Sequence, residues 1–130
     1  MNTEEELLTY PYSIDFHPPA PMLDVDCSSP ISGTSIAVPA LVDSGADMTV
    51  LPSDVVSRLQ LGRTGFITAV GLEALPTERS VFSAAIQIAG RHSVSVRVIT
   101  WDGSFALLGR NVINEWRLVL DGPASSMTIS

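Results

Sequence analysis

Residues 41–51 read LVDSGADMTVL and place one carboxylate, Asp43, between an apolar run and a turn. An aspartate in that position has two uses. It can open the turn by accepting a backbone N–H one or two residues further on. It can also act as a general acid or base, held by nearby amides and anchored by apolar flanks. Gly45 allows a sharp reversal and close approach by another chain, whereas Ser44 and Ala46 keep the turn small. Met48, Val50 and Leu51 then return to an apolar core. A second stretch, ALLGRNVIN (106–114), carries an apolar strand through Gly109 and Arg110 into a short helical pattern.

Other chemistries find little material. Ser44 lacks the Gly-x-Ser-x-Gly context of a serine nucleophile. Only His17 and His92 could act as its base, and they fall in a Pro-rich segment and a turn. The same scarcity of ligands disfavours zinc, so no metal and no cofactor are expected. Cys27 is the single cysteine, which excludes an intrachain disulfide and reads as a small core residue. Trp101 and Trp116 read as packing residues. All seven basic residues are arginines, which removes phosphate-loop lysines and Schiff-base chemistry. A net charge of -7 is wrong for a nucleic-acid groove. The apolar residues never form a membrane-spanning run. The acidic start, MNTEEELLTY, lacks the features of a secretory leader, so a cytoplasmic location is expected.

The elements that must position Asp43 are mostly strands. At 130 residues, one domain is expected, with residues 1–20 as a Pro-rich extended arm and residues 21–130 as the folded unit. MLDVDC and TSIAVPALV are strands joined by a loop at SPISG. PSDVVSRLQL predicts a helix capped by Ser53 or Asp54, with Val55, Val56 and Leu59 on its apolar face. GFITAVG, SVFSAAIQIAG and SVSVRVITW follow as strands, with AGRH as a tight turn. FALLG adds a short strand and RNVINEW a second helix. RLVLD and SMTIS close the chain as strands. This pattern predicts an all-β, closed barrel-like fold with one or two short helices.

LVDSGADMTVLP resembles the active-site loop of aspartic proteases, and ALLGRNVIN resembles the second hallmark of the retroviral-type, retropepsin-like branch. The resemblance spans about residues 22–121. It implies an acid protease lobe with Asp43 as catalytic carboxylate and Ser44 and Gly45 as the active-site loop and dimer brace. Gly45 and Asp47 would bind substrate backbone, Arg110 would pair with Asp47, and Leu107 and Leu108 would wall apolar pockets. The stretch around Gly71 corresponds to the flap, with Val70, Gly71 and Leu72 facing substrate. Two departures stand out: Ser44 replaces threonine, and the flap has one glycine with Pro76 on its return.

Such chemistry needs two carboxylates. At ~3 Å and an effective dielectric of ~20, two charges repel by roughly 5 kcal/mol, or ~4 pK units. One therefore ionises early and its neighbour late, as is general for the aspartic protease dyad. The chain holds a single Asp-Ser-Gly triplet. The expectation is a homodimer with Asp43 from each subunit on a twofold axis, hydrolysing peptide or protein substrates with apolar residues at the scissile bond. A hydrophobic content of 45% fits a large shared interface. The alternative is a non-enzymatic dimeric peptide-binding domain of the same fold, which the unusual flap favours. A third reading makes residues 1–20 a removable or regulatory arm that blocks the cleft or the interface.

Overall fold

A computed structural model describes residues 7–69, 76–91 and 93–130. In chain order the elements are β1 (Leu8–Pro11), β2 (Met22–Ser28), β3 (Ser35–Val42), β4 (Thr49–Pro52) and α1 (Ser53–Leu59). They continue as β5 (Arg63–Ala69), β6 (Thr77–Gln87), β7 (Val94–Trp101) and β8 (Ala106–Leu108). The chain ends with α2 (Arg110–Ile113), β9 (Leu118–Asp121) and β10 (Ser126–Ile129). Among the described residues, no helix is long and apolar enough to cross a membrane.

Six strands close a barrel in the order β2-β3-β8-β4-β7-β6, with β6 returning to β2. The long β6 makes closure possible by dividing one edge between two neighbours. Its first half pairs with β5, and its last residues pair with Asp26, Cys27 and Ser28 of β2. Its other edge runs against β7 from Phe82 to Ile86. Closure leaves β6 no free edge at its centre and makes the all-β expectation a barrel in fact.

The barrel interior follows from strand alternation. Leu23, Val25 and Cys27 of β2 point inward, as do Val38, Ala40 and Val42 of β3. They meet Leu51, Ala84, Ile86, Val98, Ala106 and Leu108 in one cluster. The Cys27 thiol is fully buried there, and desolvation, with the nearby Asp26 charge, pushes its pKa up to about 12. Helix α1 covers one end with Val55, Val56 and Leu59, as its apolar spacing predicts. The predicted side-chain cap is corrected: the N-cap position is Pro52, with no side-chain hydrogen bond. Pro52 is still paired to β7, so the helix starts directly off a strand. The Ser53 hydroxyl instead donates to the Trp101 carbonyl at 3.0 Å, and Asp54 lies 3.8 Å from Arg58 one turn on.

A second, three-stranded sheet has the order β1-β10-β9, all antiparallel. The N-terminal segment thus has a defined place, with Leu8–Pro11 zipped onto the last strand. Ser13 and Ala20 exchange backbone hydrogen bonds of 2.7 and 3.1 Å, which folds the intervening prolines back on themselves. Met127 and Ile129 face the barrel and join its core.

Candidate active site

The site is built where the chain crosses over itself. β8 lies between β3 and β4, parallel to β3 through Ala106, Leu107 and Leu108 and antiparallel to β4 at Leu107. Residues 43–48 must therefore pass over the end of β8 to connect its two neighbours. Gly109 sits directly beneath that crossing. A Cβ there would come within 2.5 Å of the Met48 carbonyl carbon and 2.9 Å of the Thr49 nitrogen, which no side chain tolerates. The loop is tied down on both sides: the Asp43 N–H donates to the Leu108 carbonyl at 3.0 Å, and the Arg110 N–H donates to the Ala46 carbonyl at 2.8 Å.

Beneath the crossing lies a buried polar knot. Thr49 is fully buried, and its hydroxyl accepts from the Gly109 N–H at 3.0 Å while donating to Asn111 Oδ1 at 2.9 Å. The Thr49 N–H donates to the same Oδ1 at 3.1 Å, and Asn111 Nδ2 donates to the Arg97 carbonyl at 2.9 Å. Each polar atom is used, so burial carries no desolvation deficit. The sequence reading assigned no role to Thr49 or Asn111. The available signal was a hydroxyl at an inward strand position between apolar residues, which requires a partner.

Above the knot, Asp43 is partly buried, and its Oδ1 accepts the Gly45 N–H at 3.1 Å. The Ala46 N–H closes the turn on the Asp43 carbonyl at 3.1 Å. The two sequence readings of Asp43 are compatible, since one oxygen serves the turn. Oδ2 has no hydrogen-bond partner among the described residues. A Cβ on Gly45 would lie 3.3 Å from Oδ1, so the glycine gives the carboxylate its room. Ser44 and Gly45 are exposed at the rim of the loop.

Arg110 reaches back from the start of α2 to hold this rim. Its Nη1 donates to the Ser44 carbonyl at 2.6 Å, and its Nη2 pairs with the Asp47 carboxylate. The pair is open to water, with Asp47 88% exposed. Leu107 lies partly exposed beside the loop, but Leu108 is corrected: it is fully buried in the core. Alternation along β8 makes the two side chains face opposite ways, so only Leu107 is placed to wall a pocket. Val70, Gly71 and Leu72, expected at the flap, lie outside the described residues.

No protein-family model and no curated protein sequence matches the chain. Solved structures do match. A retropepsin-like aspartic protease from Rickettsia conorii superposes with a TM-score of 0.66 at 13% identity, covering 95% of this chain and 89% of that one. EIAV protease in complex with the inhibitor HBY-793 gives 0.53 at 22% identity, over 74% and 86% of the two chains. A foamy viral protease-reverse transcriptase bound to an RNA/DNA hybrid gives 0.57 at 17% identity. That match covers 75% of this chain but 12% of the viral protein. The chain has the fold of retropepsin-like aspartic proteases.

Proposed function

We propose that this protein is an aspartic endopeptidase that works as a homodimer, with Asp43 of each subunit forming the dyad. The observation that carries the reading is the Asp43 carboxylate at the strand crossing, with Oδ1 held by Gly45 and Oδ2 open. One such loop per chain leaves the second carboxylate to a second copy.

In the proposed reaction, extended peptide lies across the loops as an added strand. A water between the carboxylates gives a proton to the ionised Asp43 while its oxygen attacks the carbonyl carbon. The protonated Asp43 gives its proton to the carbonyl oxygen, forming a tetrahedral diol. The protonated member of the pair then gives its proton to the amide nitrogen while the other takes a proton from a diol hydroxyl, so the C–N bond breaks to an amine and a carboxylic acid and the pair is again singly protonated. Ser44 would brace the loops across the axis, Gly45 and Asp47 would hold substrate backbone, and Leu107 would contribute an apolar wall. Residues 70–72 would cover the bound peptide. The pair requires one proton, so activity is expected on the acidic to near-neutral side.

Cleavage of a mixed peptide library from about pH 3 to 7, with and without pepstatin, tests the assignment. Asp43→Asn is expected to fold and dimerise normally while losing roughly 10³-fold or more in kcat. Excess Asp43→Asn added to the native protein should depress activity beyond simple dilution, because mixed dimers hold half a dyad. Full cleavage by the variant alone would refute the proposal.

A further inference from the structure

The N-terminal segment and the turn between β7 and β8 meet in an aromatic cluster that the proposed reaction leaves unused. Phe16 stands edge-on to Phe105, with ring centroids 5.5 Å apart at 81°. Phe105 in turn stands edge-on to Trp101, at 5.3 Å and 83°. The Trp101 indole N–H donates to the Phe105 carbonyl at 2.8 Å, and the Ser53 hydroxyl holds the Trp101 carbonyl. Gly103 lies against the indole, where a Cβ would strike the ring. Trp101 thus fixes the turn from within, and Phe16 props the Phe105 ring from the N-terminal side.

The segment that carries Phe16 is also tied to the Asp43 loop. It enters β2 through Pro21, whose carbonyl accepts the N–H of Val42, the residue before Asp43, at 3.0 Å. Met22 then pairs with Leu41, and Leu41 with Leu107, so three half-buried apolar side chains form a row beside the loop. Phe105 lies two residues before Leu107. Alternation sets both side chains on the face opposite the buried Ala106 and Leu108. Two residues of extended chain separate them by roughly 7 Å, which is also the spacing of same-side side chains along an extended peptide.

We propose that Phe16 is a positioning residue of the cleft, holding Phe105 so that Phe105 and Leu107 form one apolar wall for a large substrate side chain. Phe16 acts through Phe105: its ring supplies one of the two edge-to-face contacts that set the Phe105 rotamer. A substrate phenylalanine would gain burial and a further ring contact against this wall, whereas alanine would reach neither. On this reading the N-terminal segment is a working part of the enzyme and not a removable cover. Its strand is zipped onto β10, the Ser13–Ala20 exchange closes its turn, and the turn presents Phe16 to the wall.

This inference rests on the protease reading and names a determinant of its substrate class. A dimer has two such walls, so the test uses matched peptides with Phe or Ala on both sides of the scissile bond. In Phe16→Ala, KM for the Phe peptide should rise about five- to tenfold, with kcat and the Ala peptide changed less than about twofold. Phe16→Tyr keeps the ring and should restore the native KM, whereas Phe16→Leu should recover only part of it. The same peptides titrated against Asp43→Asn, with and without Phe16→Ala, should show the same ratio in Kd. Unchanged discrimination between the two peptides in Phe16→Ala would overturn the wall. So would an equal loss of kcat on both peptides, which marks a merely structural role. Absence of Asp43-dependent hydrolysis in the native protein would overturn the protease reading alone; a Phe16-dependent Kd ratio would still support the wall, and a Phe16-independent one would overturn it.

Discussion

The two layers of the strand crossing are stabilised in opposite ways. Below the loop, Asn111 and the Gly109 N–H form a knot around the fully buried Thr49, with hydrogen bonds of 2.9 to 3.1 Å. Above it, Asp47 and Arg110 pair in the open, at 88% and 44% exposure. A buried donor or acceptor that loses its partner carries its whole desolvation cost, whereas an exposed ion pair exchanges partners with water. The lower layer therefore fixes where the Asp43 loop sits. The upper layer adjusts how its rim is held.

Gly109→Ala should be the most damaging test of that contrast. Its methyl group would meet backbone at 2.5 Å, so stability should fall by about 3 kcal/mol or more in urea unfolding. A loss below about 1 kcal/mol would mean the crossing is not tightly packed.

Thr49→Val keeps the shape of the knot and removes its hydroxyl. The Gly109 N–H is left buried without its acceptor, and a cost of about 2 kcal/mol is expected. The same variant should reduce peptide cleavage, since the Asp43 loop ends at this anchor. Equal stability for Thr49→Val and native protein would place the anchoring elsewhere.

Arg110→Gln and Asp47→Asn should sharpen the comparison from the other side. Each is expected to change stability by no more than about 1 kcal/mol, with the effect shrinking at high salt. Arg110→Gln should still impair cleavage more than Asp47→Asn, because Arg110 also holds the Ser44 carbonyl. Equal losses in kcat/KM would assign the whole effect to the ion pair.

Cys27 gives a quieter check on the core beneath. Its folded pKa of about 12 lies above the ordinary 9.0, so the folded state keeps its proton more tightly. The associated stability is intact below pH 9.0 and declines as pH rises toward about 12. Alkylation at mildly alkaline pH should therefore proceed only through unfolding and slow in step with added stability. Rapid modification of the native protein would show an open barrel.

Local pattern made much of this legible. The patterns of MLDVDC and TSIAVPALV marked β2 and β3 as strands, and the spacing of Val55, Val56 and Leu59 identified the buried face of α1. The Asp43 turn and the Arg110 contact were likewise marked by short motifs. Less visible were features that depend on residues far apart in the chain. The α1 cap went wrong because the Trp101 carbonyl, 48 residues away, takes the Ser53 hydroxyl. Leu107 and Leu108 looked equivalent until pairing with β3 and β4 set which one faces the core. The pairing of β1 with β10 joins the first described residues to the last, beyond the reach of any local signal.

By itself, then, the sequence determined the strand-rich class, the loop that presents Asp43 and the apolar face of α1, because these reside in neighbouring residues. Only the tertiary structure decided that β8 separates β3 from β4, that Gly109 lies under the crossing, and that Thr49 and Asn111 satisfy each other. Those outcomes depend on which distant strands share hydrogen bonds, and burial gives each partner just one satisfactory arrangement.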